Sequence, residues 1–147
     1  MSAKRTDYFY FESLTTRWSD NDVYGHINNV TYYSYFDTVA NNYLIKNGHL
    51  DIHTDDVVGF VVHSSCDYFS PIAYPQSIEV GFRVNKLGNK SVEYGMAIFK
   101  NNAPDAVACG TFTHVFVSRS NGGSVAIPGE IRAALERAST GKTTTIQ

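Results

Sequence analysis

Residues 17–33 read Arg-Trp-Ser-Asp-Asn-Asp-Val-Tyr-Gly-His-Ile-Asn-Asn-Val-Thr-Tyr-Tyr, placing two carboxylates, a histidine and a glycine just ahead of a helical pattern. A carboxylate can attack a carbonyl carbon directly or act as a general base on water. The first turn of a helix offers unpaired N–H groups and partial positive charge, which suit a developing oxyanion. Asp22, on the loop entering the helix, fits either carboxylate role, and it also fits an Asx turn with only local consequences. Asp20 lies nearby and reads as a turn-forming or solvated acid. Gly25 is expected to supply a positive φ or a close backbone approach. His26 either hydrogen-bonds a bound carbonyl or water, or holds loop backbone groups. Asn28 and Asn29 are both suited to cap the helix.

The elements that would position this loop follow from periodicity. Residues 8–18 are aromatic and β-branched and predict a first strand; residues 19–28 carry loop chemistry. From about Asn29 to Lys46, Val30, Tyr33, Phe36, Ala40, Tyr43 and Leu44 recur at helical steps, with Tyr32, Tyr35 and Val39 on the other faces. A helix apolar most of the way round is expected to be enclosed, and Asn47-Gly48 is a stop signal. Phe60–Tyr68, Ile78–Val84, Val92–Ile98 and Ala106–Ser118 alternate as strands, with tight turns at 87–90 and 101–105. A short helix is expected from Pro128 to about Ala138, followed by a polar, frayed tail. Strand, long helix and four turn-linked strands predict an α+β domain whose five-stranded antiparallel sheet curls around one helix. One domain over 1–147 is expected.

Composition narrows the function classes. Hydrophobic residues make up 43% and charged residues 18%, a globular balance, and the net charge of −2 with no basic cluster argues against nucleic acid. The N-terminal residues lack a signal-peptide pattern and no segment reaches membrane-spanning length, so a cytoplasmic protein is expected. Cys66 and Cys109 read as small core residues of a reducing compartment. His26, His63 and His114 have no zinc-type spacing, and neither a metal nor another cofactor is expected.

Asp22-x-x-Gly25-His26-x-Asn28-Asn29 resembles the signature of the 4-hydroxybenzoyl-CoA thioesterase branch of the hotdog superfamily. Further echoes are N-N-x-x-Y-x-x-Y-F-D over 28–37, D-Y-x-x-P over 67–71 and L-G-x-x-S over 87–91, and the likeness spans about 8–119. The resemblance implies an acyl-CoA thioester as substrate, Asp22 as the catalytic acid, and a backbone N–H near Asn29 polarising the thioester carbonyl. It also implies a site shared between two subunits joined edge to edge, with dimers often pairing into tetramers. Asp37 matches an acid of the family's helix; sharing a face with Tyr33 and Ala40, it is expected to be a buried or hydrogen-bonded structural acid.

Tyr24 and Tyr33 are candidates for the acyl pocket, although aromatic residues at helical spacing are equally core. His63 and Ser65 sit mid-strand beside the expected cleft. Arg83, Lys86 and Lys90, with Arg119, are candidates for the CoA phosphates. Two other functions compete. A hotdog enoyl-CoA hydratase would want a D-x-N-P-x-H arrangement, and here the Asn-Pro is missing and His26 is wrongly spaced. A non-catalytic acyl-CoA sensor would need the pocket without the carboxylate.

Overall fold

The computed structural model describes residues 3–139, with strands β1 (Tyr10–Thr15), β2 (Val57–Tyr68), β3 (Ser77–Leu87), β4 (Ser91–Lys100) and β5 (Ala108–Ser118), and helices α1 (Asn29–Gly48) and α2 (Gly129–Arg137). The polar tail beyond 139 lies outside the described residues. All strand pairs are antiparallel, in the order β1-β3-β4-β5-β2. β1 and β2 therefore form opposite edges, and α1, which joins them, must cross one face of the sheet. The sheet wraps around that helix, which is the hotdog arrangement of an α+β fold.

β1 is shorter than its apolar run. Tyr8 and Trp18 lie outside it, and Trp18–Asp20 forms a 3-10 turn instead. The N-terminal segment binds the sheet on the side away from α1. Tyr8 and Phe11 pack with Phe99, and Arg5 lies over both Phe rings and pairs with Glu79 at 2.8 Å.

The buried stripe of α1 is Tyr32, Tyr35, Phe36, Val39, Ala40, Tyr43 and Leu44. Tyr32, Tyr35 and Val39, expected on the less apolar faces, are thus core, whereas Val30 is exposed and Tyr33 half-buried. A helix with apolar groups all round does not itself declare which stripe meets the sheet; packing against β3, β4 and β5 selects it. Asp37 consequently faces outward, exposed, with its carboxylate accepting from Asn41 at 3.1 Å. It is hydrogen-bonded as expected but not buried. The helix ends one turn-residue later than its stop signal: His49 takes the left-handed cap (φ 58°) and donates to the Leu44 carbonyl.

Under α1, His114 is 1% exposed and shares a 2.9 Å hydrogen bond with the Tyr94 hydroxyl. Burial lowers its pKa to about 4. An unfolded chain would protonate this imidazole near pH 6.5 while the folded one keeps it neutral, so stability is complete above pH 6.5 and falls as pH drops toward 4. The loss amounts to about 3 kcal/mol. His114→Gln retains a polar partner for Tyr94 but does not titrate, so denaturant melts at pH 7 and pH 4.5 should show a smaller difference than wild type. An unchanged difference would assign the acid sensitivity elsewhere.

β2 carries a bulge. It pairs with β5 as Val61 to His114 and then His63 to Thr113, leaving Val62 without an opposite residue. The extra residue reverses the alternation beyond it. Val61, Ser64, Cys66 and Tyr68 share the side of His114 and Phe112, whereas His63 and Ser65 share that of Thr113 and Thr111. At the Cys66 pairing, β2 presses on Gly110: a Cβ there would lie 1.9 Å from the Ser65 carbonyl oxygen. Gly110→Ala should cost at least about 3 kcal/mol, because only backbone can yield to it. A thermal melt matching wild type would show that β2 can move aside.

Candidate active site

The loop before α1 is a narrow hairpin. Asn28 N–H donates to the Asp20 carbonyl at 2.9 Å, Asn21 bridges Ile27, and Asp22 N–H donates to the His26 carbonyl at 2.8 Å. Gly25 closes the turn at φ 86°, the left-handed region anticipated for it, and donates to the Asp22 carbonyl at 3.1 Å. Asp22 sits on the last rung. Its Oδ1 accepts from the Tyr24 N–H at 2.8 Å and, more loosely, from the His26 N–H at 3.4 Å. The local Asx-type role therefore exists. It uses one carboxylate oxygen, and no bond to Oδ2 is made among the described residues.

α1 begins directly after this hairpin. Asn28 is the cap, its side chain accepting from Val30 N–H at 3.1 Å, which resolves the choice between the two asparagines. Asn29 is the first helical residue and is exposed, and its N–H has no acceptor within the helix. Asp22 on the hairpin and Asn29 at the positive end of α1 each line a surface depression. The two depressions are distinct. One is a depression of about 420 Å³ lined by Trp18, Asn21, Asp22, Val23 and Gly25; the other, of about 320 Å³, is lined by Ile27, Asn29, Tyr32, Tyr68, Phe69, Ser70 and Pro71. Tyr68 reaches across from the end of β2 and donates to the Asn29 carbonyl at 3.1 Å, packing edge-on against Tyr32.

Hydrogen bonds of the hairpin join Asp22, Gly25 and His26, and Asn29 follows at the start of α1. Tyr24 follows Asp22 in the hairpin, but its ring is 83% exposed. Tyr33 packs partly against the core. The remaining candidates lie elsewhere within one chain. His63 and Ser65 are on the sheet side away from α1, Ser65 bonding Thr111 at 2.9 Å, because the β2 bulge changes their facing. Arg83 is committed to the N-terminal segment, donating to Asn85 at 2.9 Å and to the Asp7 carbonyl at 3.0 Å and lying over the Tyr8 ring. The hairpin loop is held at the start of β3 through Thr16 to the Gln76 carbonyl and Tyr74 to Asn21. Lys86 and Lys90 stand at the other end of that strand, about 33 Å away along it. Arg119 donates to the Ile52 carbonyl.

Two residues near the loop escaped the residue-level reading. Tyr68 was signalled only as part of the D-Y-x-x-P echo. Asp20, expected as a turn-forming or solvated acid, does form the turn by accepting the Arg17 N–H, but it is 1% exposed and no local signal marks that burial.

The chain belongs to the thioesterase-like superfamily, whose family model matches residues 16–135. It is similar to the PA5185 protein of Pseudomonas aeruginosa, whose crystal structure superposes with a TM-score of 0.95 at 52% identity over 96% of this chain and 99% of that one. The 1,4-dihydroxy-2-naphthoyl-CoA thioesterase Slr0204 from Synechocystis shares the fold (TM-score 0.77, 16% identity, 86% of this chain and 94% of that one). The YsmA protein of Bacillus subtilis is 24% identical over 131 residues, 89% of this chain and 88% of its own. Among the described residues, no helix is long and apolar enough to cross a membrane.

Proposed function

We propose that this protein hydrolyses acyl-CoA-type thioesters, with Asp22 as the catalytic carboxylate. The observation that carries the reading is Asp22, with one carboxylate oxygen unbonded among the described residues, on the hairpin that leads directly into the exposed first turn of α1. A thioester carbonyl seated between them would receive the Asn29 N–H on its oxygen and face Asp22 at its carbon. In the base-catalysed version, Asp22 takes a proton from water as the oxygen adds to the carbonyl. The tetrahedral oxyanion then collapses, the C–S bond breaks, and the proton passes to the departing thiolate. Direct attack by the Asp22 carboxylate would instead break the C–S bond, expel the thiolate and form an acyl-aspartyl anhydride, which water hydrolyses to the free acid and the restored carboxylate. Membership of the thioesterase-like superfamily supports the reaction class. Tyr32, Tyr68 and Phe69 provide apolar walls suited to the acyl part.

The working unit in this reading is at least a dimer. β2 is an edge strand of 12 residues, with Phe60 62% exposed and Val62 54% exposed. A long apolar edge offers unpaired backbone groups to another strand, and a second copy of β2 is the self-complementary solution. The partner would also cover the open side of the hairpin, where Val23 and Tyr24 project. A tetramer would be a pair of such dimers.

The test is turnover of a panel of aryl, short-chain and long-chain acyl-CoA thioesters, read by release of free thiol. At least one class should be hydrolysed well above background. Binding of acyl-CoA without thiol release across the panel would replace hydrolysis with the sensor function.

A further inference from the structure

Asp20 is buried two residues from Asp22, and each of its acceptor positions is occupied. Oδ2 accepts the Arg17 backbone N–H at 2.9 Å and the Tyr35 hydroxyl at 2.7 Å. Oδ1 accepts the Arg17 guanidinium at 3.1 and 2.9 Å, and the Asp20 carbonyl accepts Asn28 N–H. One residue thereby joins the entrance of the hairpin, the interior of α1 and the helix cap. Burial by itself would raise the Asp20 pKa, but the hydrogen bonds from Tyr35 and Arg17 outweigh it and hold the carboxyl below its usual value. A buried charge adds little net stability over apolar packing of the same volume. What it does add is direction, because charge-assisted hydrogen bonds fix the geometry of their partners.

We propose that Asp20 is the positioning residue of this site: through Tyr35, Arg17 and Asn28 it fixes the base of the hairpin that carries Asp22 ahead of the first turn of α1. The inference rests on the hydrolase reading given above. Tyr35 sits between Tyr32 and Val39 on the buried stripe of α1, so its hydroxyl is carried by the rigid core. Any shift at Asp20 is transmitted to Asp22 through two residues of a closed hairpin. Displacement of a reacting group by about 1 Å can cost up to about a hundredfold in rate.

The experiment compares Asp20→Asn and Tyr35→Phe, each alone and combined with Asp22→Asn, on the best acyl-CoA substrate well below each variant's melting temperature. Asp20→Asn should lower kcat about tenfold with KM within about twofold, and Tyr35→Phe should lower kcat less, in the same direction. The combination of Asp20→Asn with Asp22→Asn should be no slower than Asp22→Asn alone, because both act through one carboxylate. A purely structural role would lower the melting temperature without moving kcat of the folded enzyme. Tyr35→Phe removes a single bond at nearly constant volume and decides the matter even if Asp20→Asn fails to fold. Full kcat in the folded variants while Asp22→Asn is inactive would overturn this inference alone, as would an additive loss in the double variant. Undiminished turnover in Asp22→Asn would instead overturn the hydrolase reading, and this inference with it.

Discussion

Asp22→Asn is expected to reduce kcat by at least about a hundredfold, with KM and the melting temperature close to wild type. The structure makes this substitution a clean probe. Asp22 Oδ1 accepts from Tyr24 N–H, and a carboxamide oxygen can accept the same bond, so the hairpin turn survives. What disappears is the second oxygen as an anion, able to take a proton from water or to attack the carbonyl. A loss of rate with intact folding would therefore separate catalysis from turn formation, which a substitution to alanine would confound. The measurement is thiol release under saturating substrate, paired with a thermal melt. Wild-type turnover would leave Asp22 as a turn residue and sink the proposed mechanism.

The second large effect is expected at the free edge of the sheet. Phe60→Lys combined with Val62→Lys should convert the protein to a monomer in sedimentation and lower kcat/KM by about fiftyfold or more, since a shared site would lose its second wall. Both side chains are largely exposed in the single chain, so the core beneath β2 is untouched. Lysines placed on an edge strand oppose one another across a two-fold axis and interrupt the apolar contact, while the chain's own β2–β5 pairing is retained. Far-UV circular dichroism should remain that of the native fold. A variant that stays dimeric, or a monomer with full activity, would show that the edge does not complete the site.

Both predictions depend on which parts of the molecule were readable from the chain alone. The α+β class, the strand sequence and the position of the long helix were legible because each is a local pattern. Alternation identifies a strand, a 3.6-residue repeat identifies a helix, and the Asn28-Asn29 pair next to that repeat marks its start. The positive φ of Gly25 was legible for the same reason, since the turn that demands it lies within the same few residues. Asp22, Gly25 and His26 lie within one short turn, so their hydrogen bonding to one another is equally local.

Facing and burial were not legible, because they depend on residues distant in the chain. A single unpaired residue, Val62, turns His63 and Ser65 to the side of the sheet away from α1, and the bulge exists only in the pairing of β2 with β5, a strand distant in sequence. Arg83 reads as a free cation until the N-terminal segment, more than seventy residues earlier, folds back against it. Asp20 reads as a solvated turn until Tyr35 is brought over it by the packing of α1. Local pattern was enough for the elements and for the run of acid, glycine and histidine on the loop before α1. The tertiary structure alone decided which of the remaining polar groups are anchored, because their partners come from across the sheet, where local periodicity has no reach.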